Sequence, residues 1–190
     1  HEVHLSLIRK IKEFGATKTI VSIYVNPKQF GPGEDYAKYP RTLDGDIKLL
    51  EKLNVDCLFC PSDKEIYPPN VKSHVMINKL DLMDELCGKY RPGHFDGVLL
   101  VVNRLLNIIQ PNIAIFGQKD YQQYVLIKNM VQQLFLSTEV LMAPIIREND
   151  GLAMSSRNSY LNSNQRSKAL HLYKSLISTR RKIRENQIDY

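Results

Sequence analysis

The chain has 190 residues, of which 43% are hydrophobic and 24% are charged, a composition typical of a soluble globular protein with its own core. Its 26 Lys and Arg against 20 Asp and Glu give a formal charge of +6, which suits nucleic acid, anionic surfaces or phosphorylated small molecules. No apolar run approaches the roughly 20 residues that span a bilayer, and no signal peptide is evident. We therefore expect a cytoplasmic protein with no membrane partner.

Short β-rich runs alternate along the chain with segments that have the apolar period of helices. In chain order, the sequence predicts a helix over residues 4–14, a strand over 19–25, a helix over 43–53, a buried strand over 55–60, a loop over 63–70, a short strand over 73–78, a helix over 97–110, a strand over 112–116, a helix over 121–134, a strand over 138–144, a loop over 147–158 and a helix over 163–185. This alternation predicts an α/β fold with a mainly parallel sheet.

The three cysteines do not predict a metal site. Cys57 and Cys60 form a C-x-x-C pair within the strand predicted over residues 55–60, and residues three apart on a strand point to opposite faces. Cys87 has no matching pair. We expect all three to be reduced cysteines of the protein core.

Polar residues follow two of the predicted strands directly, where ligands bind in open α/β sheets. The segment NPKQFG (residues 26–31) follows the first strand, and GQKD (residues 117–120) follows the strand over residues 112–116. In the second segment, Gly117 would let a ligand approach the backbone, Lys119 offers a charge to phosphate, and Asp120 can accept from ribose hydroxyls. The alternative is a simple turn in which Asp120 caps the next helix.

Two further segments carry residues suited to anions. His1 and His4 lie three apart at the start of a predicted helix, where the helix dipole favours negative charge. Both could donate to phosphoryl oxygens. A zinc site is a rival hypothesis, but the H-E-x-x-H motif needs four-residue spacing and no third ligand is evident, and a plain surface pair is the other alternative. Residues 154–157 (MSSR) follow the last strand with hydroxyls and a guanidinium that could cradle phosphates. The alternative there is a solvated loop that caps the next helix.

Six blocks of sequence stand in the order and approximate spacing of one family, over residues 1 to about 165. These blocks are VNPKQF (residues 25–30), YPRT (39–42), EIYP (65–68), RPGHF (91–95), FGQKDYQQ (116–123) and GLAMSSRN (151–158). On these blocks the chain resembles the pantothenate synthetases, which share a Rossmann-like nucleotidyltransferase fold with class I aminoacyl-tRNA synthetases. The resemblance implies a parallel sheet with helices on both faces, built as a nucleotide- and pantoate-binding domain over residues 1–145 and the start of a C-terminal lid domain over residues 146–190.

The resemblance also implies roles for particular residues. His1 and His4 match the two histidines of the family's H-x-G-H motif, and His4 would be the proton donor. Gln29 and Gln123 would bind pantoate, and Gln29 would also face β-alanine. The residues implied to contact ATP are His1, His4, Gly117, Gln118, Lys119, Asp120, Ile146, Met154, Ser155, Ser156 and Arg157. Arg91 and His94 are further candidates for the phosphate or amine side.

The implied activity is an ATP-dependent ligation, with ATP and Mg²⁺, in which pantoate is activated as an acyl adenylate and then joined to β-alanine. Positioning and charge stabilisation would carry the catalysis, because no protein nucleophile is needed. The family is usually homodimeric, and no nucleic acid partner is implied.

Departures from the family pattern leave alternatives open. Val3 stands where the family's H-x-G-H motif has Gly, and a side chain there would intrude on the approach of adenine to the helix backbone. The family's strand and P-T-M-G segment before the first histidine are not in the chain, so we expect the first strand to be absent and the C-terminal domain to be incomplete. A catalytically weakened relic and a tRNA-handling relative of the superfamily are therefore the alternatives.

Overall fold

A computed structural model describes residues 2–39, 41–71 and 81–187 of the chain. The helices and strands are, in chain order, α1 (Glu2–Glu13), β1 (Ile20–Ser22), α2 (Leu43–Lys52), β2 (Cys57–Phe59), α3 (Asp63–Ile66), α4 (Cys87–Tyr90), α5 (His94–Ile109), β3 (Ile113–Gly117), α6 (Tyr121–Gln133), β4 (Glu139–Ala143) and α7 (Ser163–Arg184). Short 3-10 helices lie between several of these elements, among them Pro27–Gln29 and Gln118–Asp120. The strand predicted over residues 73–78 lies outside the described residues.

The described residues form two compact units. One unit runs from Leu7 to Pro144 and contains all four strands, and the other contains the described residues up to Ser6 and from Ile145 onward. The four strands form two parallel pairs, β1 with β2 and β3 with β4. Each pair is connected through a helix, α2 or α6, as parallel strands require a crossover. The single parallel sheet that we expect from the sequence is thus present as two pairs, because no ladder of hydrogen bonds joins β1 or β2 to β3 or β4 among the described residues.

The core of the larger unit lies where α5 and α6 pack together and against the β3–β4 pair. The side chains of Leu126, Ile127 and Met130 on α6 are fully buried, and Val98 and Leu99 on α5 are nearly so. Leu126 and Ile127 lie four and three residues before Met130, and Val98 and Leu99 lie eight and seven residues before the buried Leu106, spacings that place each set on one face of its helix. Burial of this face stabilises the two helices and fixes the start of each one.

The start of α5 lies directly against the 3-10 helix Pro27–Gln29. A Cβ atom on Gly97 would lie 2.1 Å from the carbonyl oxygen of Lys28, a distance that no side chain tolerates. Gly97 therefore permits the backbone of α5 to contact the loop that follows β1. This contact positions the first of the two strand-end segments singled out in the sequence.

The cysteine prediction is right about the reduced state and wrong about the location. Cys57, Cys60 and Cys87 are free thiols, and all three are exposed rather than part of the core. The strand β2 is correspondingly less buried than we expect from its apolar sequence, since Leu58 and Phe59 are only half-buried. An apolar run predicts burial only if both faces of the strand are covered, and in the described residues the main core lies around β3 and β4 instead.

Two predicted loops contain more structure than we expect. Residues 63–66 form α3, which starts with a capping box in which Ser62 and Glu65 exchange hydrogen bonds, and Ile66 is 1% exposed. Residues 147–158 contain a tight turn, in which Arg147 and Ala153 form an antiparallel bridge, followed by the start of a 3-10 helix. Short local hydrogen bonds of this kind leave no periodic hydrophobic signal, so a pattern search misses them. Across the described part of the chain, every helix is too short or too polar to cross a membrane.

Candidate functional site

The loop after β1 is organised around a buried amide. Asn26 is 2% exposed, and its carboxamide bonds the backbone at Lys28 and Gly97 and the side chains of Gln29 and Tyr67. Pro27 begins the 3-10 helix that Asn26 caps, as proline suits the first helical position. The side chain of Gln29 is therefore held by its neighbours, whereas that of Lys28 is exposed.

The backbone of Gln29 is held by residues from the start of α5. Nδ1 of His94 lies 2.8 Å from the carbonyl oxygen of Gln29, and Nε2 lies 2.9 Å from Nη1 of Arg91. Because a guanidinium can only donate, Nε2 of His94 accepts and Nδ1 carries the proton that is donated to Gln29. Arg91 also forms two short hydrogen bonds to the carboxylate of Glu34, at 2.8 and 2.6 Å.

Electrostatics favours the neutral form of His94. Burial lowers the pKa of His94 below its ordinary value, and the adjacent charge of Arg91 acts in the same direction. The hydrogen bonds from Arg91 lower the pKa of Glu34, which keeps its carboxylate ionised. Arg91 and His94, which the resemblance offers as contacts for phosphate or amine, are thus hydrogen-bonded to Glu34 and to the backbone of the Gln29 loop.

The turn after β3 has a different character, because its polar side chains are exposed. Residues 117–120 lead from the end of β3 into α6, and the first turn of α6 leaves backbone N–H groups without helical partners. The Lys119 ammonium lies 3.2 Å from the carboxylate of Asp120, and the two side chains are 39% and 60% exposed. Asp120 stands at the N-cap position of α6, as the simple-turn alternative expects, but its side chain makes no capping hydrogen bond. A positive charge beside a helix start suits phosphate.

Two adjacent glutamines on α6 have separate positions. Gln122 donates to the carbonyl oxygens of Leu82 and Glu85, at 2.7 and 2.8 Å, and accepts from the backbone of Cys87. This glutamine therefore ties α6 to the segment before α4. The neighbouring Gln123 is half-buried and makes no side-chain hydrogen bond within the described residues. Its amide remains available for a ligand.

His94 interacts with both strand-end segments, residues 26–31 and residues 117–120. The imidazole donates to the loop after β1, and the Asp120 carboxylate, from the turn after β3, acts on the same imidazole electrostatically and raises its pKa slightly against the effect of burial. The larger unit contains six of the residues predicted to form the site. They lie after β1, at the end of β3 or on the first turn of α6, and they are Gln29, Gly117, Gln118, Lys119, Asp120 and Gln123.

The remaining predicted site residues belong to the smaller unit. His4 is exposed in the first turn of α1, and Val3 beside it is half-buried. His1 lies outside the described residues. Ile146 accepts a backbone hydrogen bond from Met154 at 3.0 Å, which pairs the two ends of the turn over residues 147–153.

The serine segment, residues 154–158, follows this turn and is connected to α7 by hydrogen bonds through Glu148. Ser155 caps the 3-10 helix Ser156–Tyr160 by accepting from the backbone of Arg157 at 3.3 Å. Asn158 donates to one carboxylate oxygen of Glu148 at 3.1 Å, and Arg166 on α7 donates to the other at 2.7 Å. The helix α7 has its own cap at Asn162, so the predicted alternative, in which residues 154–157 cap the next helix, is wrong for that helix.

Sequence reasoning gave no role to four residues that shape these segments, namely Asn26, Glu34, Tyr67 and Arg166. Asn26 and Tyr67 stand within blocks that carry the resemblance, and a buried Asn directly before Pro is a signal that the sequence did offer. Glu34 and Arg166 pair with residues 57 and 18 positions away. Such pairs cannot be found from spacing in one sequence.

Comparisons with known proteins identify relatives over the whole length of the chain. The profile of a family described as Pantoate-beta-alanine ligase matches residues 1–189. The pantothenate synthetase of Fervidobacterium nodosum is 50% identical over 189 residues, which cover 100% of this chain and 66% of that protein. The pantothenate synthetase of Thermotoga petrophila is 52% identical over 186 residues, 98% of this chain and 64% of that protein. The chain thus spans about two thirds of the length of the curated relatives it matches.

Solved structures give the same result for the fold. The pantothenate synthetase of Thermus thermophilus superposes with a TM-score of 0.93 at 43% identity, covering 98% of this chain and 67% of that one. The pantoate-beta-alanine ligase of Francisella tularensis, solved in complex with beta-gamma ATP and beta-alanine, superposes with a TM-score of 0.84 at 45% identity, covering 92% of this chain and 66% of that one. These similarities confirm the predicted α/β, Rossmann-like fold.

Proposed function

This chain belongs to the pantoate-beta-alanine ligase family, and from that premise we propose that it joins pantoate to β-alanine in an ATP-dependent reaction. The observation that carries the proposal is the turn over residues 117–120, whose Lys119 and Asp120 side chains are exposed beside the start of α6 and, among the described residues, make side-chain hydrogen bonds only to each other. The relatives named pantothenate synthetase support the same reaction. No relative named above is a tRNA-handling protein, so that alternative has no support.

The chemistry follows from the need to activate a carboxylate in water. The pantoate carboxylate attacks the α-phosphorus of ATP, the bond to the β-phosphate oxygen breaks, and pyrophosphate leaves. The β-alanine amine then attacks the pantoyl carbonyl carbon, AMP leaves with the bonding electron pair, and the amine loses a proton. Each step needs alignment and compensation of negative charge rather than a protein nucleophile.

We assign the residues of the larger unit to these steps as follows. The backbone at Gly117 and Gln118 would approach ATP, Lys119 would bind the phosphate oxygens, and Asp120 would accept from the ribose hydroxyls. Gln29 and Gln123 would bind pantoate, and Gln29 would also face β-alanine. The exposure of Lys119 and Asp120 and the unused amide of Gln123 support these roles.

Residues of the smaller unit are assigned to ATP from the resemblance. Ile146 would contact adenine, and Met154, Ser155, Ser156 and Arg157 would contact the triphosphate. His4 would donate to the leaving phosphates, with His1 beside it in sequence. The anchoring of the serine segment through Glu148 supports a defined conformation for those contacts.

Mg²⁺ would offset the charge of the triphosphate during the first step. The described residues contain no group of three His, Cys, Asp or Glu side chains that could hold a metal ion. That composition fits a cation carried mainly by phosphate oxygens and water, which is how Mg²⁺ usually binds at nucleotide sites. We also propose that the protein is cytoplasmic and that it forms a homodimer. Light scattering of the purified protein would test the dimer.

The test is an assay of AMP release by the purified chain with ATP, Mg²⁺, pantoate and β-alanine. We expect AMP release that requires both organic substrates, together with a product of the mass of pantothenate. AMP release without dependence on β-alanine, or none at all, would contradict the proposal. The variant Val3→Gly, assayed in parallel, tests the weakened-relic alternative, which predicts that the glycine raises the activity.

A further inference from the structure

The orientation of the Asn26 carboxamide is fixed by two backbone groups. Its Oδ1 lies 3.2 Å from the backbone nitrogen of Lys28, which can only donate, and its Nδ2 lies 3.0 Å from the carbonyl oxygen of Gly97, which can only accept. The side chain is 2% exposed, so water does not compete for these bonds. The carbonyl and amine ends of Asn26 are therefore unambiguous.

This orientation determines the orientation of Gln29. Nδ2 of Asn26 also lies 3.2 Å from Oε1 of Gln29, and since Nδ2 can only donate, the carbonyl end of Gln29 is the end that is bonded. The Nε2 group of Gln29 makes no hydrogen bond within the described residues. Gln29 consequently presents N–H donors, and not an acceptor, to a ligand.

Tyr67 completes the arrangement on the other side of Asn26. Its hydroxyl lies 2.7 Å from Oδ1 of Asn26, and because Oδ1 only accepts, the phenol donates. Burial raises the pKa of Tyr67 to about 12, so the phenol keeps this proton throughout the physiological range. Oδ1 of Asn26 thus accepts from Tyr67 and from the backbone of Lys28 at once.

The ring of Tyr67 is held in place by two cations. The Lys28 ammonium lies 4.9 Å from the ring centroid and the Arg104 guanidinium lies 4.8 Å from it, distances at which cations attract an aromatic face. Arg104, on α5, also donates to the carbonyl oxygen of Ile66, the residue before Tyr67. The phenol is therefore anchored independently of Asn26.

We propose that Tyr67 is a positioning residue, which acts through Asn26 to make Gln29 a hydrogen-bond donor to an oxygen of the acid substrate. The identity of that substrate as pantoate rests on the proposed function. A carboxylate or hydroxyl oxygen satisfies the N–H groups of Gln29, whereas a ligand that offers only a donor there does not. Specificity arises in this way because an unpaired polar group in the site disfavours the wrong ligand.

The test compares Tyr67→Phe with the matched variant Tyr24→Phe. Tyr24→Phe removes the same hydroxyl group from a ring whose centroid lies 6.4 Å from that of Tyr67, but the hydroxyl of Tyr24 bonds Asp63 rather than Asn26. We expect Tyr67→Phe to raise the KM for pantoate roughly three- to tenfold, the effect of one lost hydrogen bond, with the KM for ATP unchanged. Tyr24→Phe should leave both KM values unchanged. The proposal would be overturned if Tyr67→Phe and Tyr24→Phe had equal effects on the KM for pantoate and on the KM for ATP.

A second pair of measurements tests the donor role directly. Gln29→Glu keeps an acceptor for Asn26 but removes the N–H donors, and we expect it to raise the KM for pantoate roughly ten- to a hundredfold, as loss of a bond to a charged group does. Tyr67→Phe should also speed solvent exchange of the Asn26 side-chain amide protons by at least about tenfold, measured by NMR, because it removes an ordering bond. An inactive wild-type chain would refute the proposed function alone, whereas unchanged exchange of these protons would refute the role of Tyr67.

Discussion

Gly97 and Gly117 differ in what requires the glycine. Gly117, at the end of β3, has a φ of −79°, which any residue adopts, and a Cβ atom there would meet nothing within 4 Å. Gly97 has no such room, because its Cβ would strike the Lys28 backbone. Packing among the described residues therefore explains Gly97 but not Gly117, and we propose that the second glycine lets a ligand approach the backbone.

We accordingly expect Gly117→Ala to change the free energy of unfolding by less than about 0.5 kcal/mol while it raises the KM for ATP about tenfold or more, the effect of overpacking against a bound nucleotide. Gly97→Ala should instead lower the free energy of unfolding by more than about 2 kcal/mol. Urea unfolding and initial rates at varied ATP measure both. A Gly117→Ala protein with an unchanged KM for ATP would mean that no nucleotide approaches this backbone.

The candidate site residues that could be predicted from the sequence are those that come directly after a predicted strand. Lys119, Asp120 and Gln123 lie at the predicted end of β3 or on the first turn of α6 and are available to a ligand. Their roles with ATP and pantoate stay predictions. Tyr67 was not predictable as a partner of Asn26, because the two residues are 41 positions apart and their contact depends on the tertiary fold.

The start of α5 places a titratable side chain, that of His94, against the loop after β1. His94 faces the carbonyl oxygen of Gln29, the Arg91 guanidinium, the Glu34 carboxylate and, at longer range, Asp120. The neutral imidazole is the form that can accept from Arg91. The pKa of His94 is lowered by burial in the folded protein, so the unfolded chain binds a proton at this residue more readily than the folded one.

This difference gives a signed prediction for stability. Above the ordinary pKa of 6.5, His94 is neutral in both the folded and the unfolded protein, and its contribution to stability is fully present. This contribution is lost as the pH falls from 6.5 through the pKa of His94 in the folded protein. We expect the free energy of unfolding of the wild type to fall over that range more steeply than that of His94→Asn, which keeps a donor but does not titrate. Urea unfolding between pH 7.5 and 5.0 measures this difference, and parallel profiles would contradict it.

The serine segment offers a second prediction for an element. Arg166 on α7 contacts the carboxylates of Glu148 and Asp150, at 2.7 and 2.8 Å, and Glu148 holds Asn158. We expect Arg166→Met to speed hydrogen exchange over residues 154–158 and to raise the KM for ATP several-fold, while Lys168→Met, at an exposed position of the same helix, changes neither. If Arg166→Met exchanged like the wild type, the segment would not depend on α7 for its conformation.

The elements themselves were largely predictable, and the exceptions have physical causes. Helix α6 and strands β3 and β4 agree with the sequence because each contributes apolar side chains to the main core or packs them against it. The strand β1 is shorter than predicted, spanning Ile20–Ser22 within the predicted residues 19–25. Its flanking residues Thr19 and Ile23 each keep backbone hydrogen bonds at the ends of the ladder, from Cys57 to Thr19 at 3.1 Å and from Ile23 to Phe59 at 3.0 Å, and hydropathy alone cannot tell where a ladder ends.

For the whole molecule, the net charge is unevenly distributed. The helix α7 carries seven Lys and Arg and no Asp or Glu, whereas the rest of the chain carries 19 basic and 20 acidic residues. The +6 charge is therefore a property of one helix and not of the segments after β1 and β3. Binding of a nucleotide at Lys119 depends on local donors, so composition alone could not have indicated that site.

Transfer of an oxygen isotope from pantoate to AMP follows the proposed reaction through both of its steps. With pantoate labelled by ¹⁸O in its carboxylate, attack of a carboxylate oxygen on the α-phosphorus leaves that oxygen on the phosphate when the amine displaces AMP. We predict one ¹⁸O atom in each AMP released by the purified chain, measured by mass spectrometry, with none in pyrophosphate. Label in inorganic phosphate or pyrophosphate, or unlabelled AMP formed alongside pantothenate, would contradict the proposed acyl-adenylate reaction.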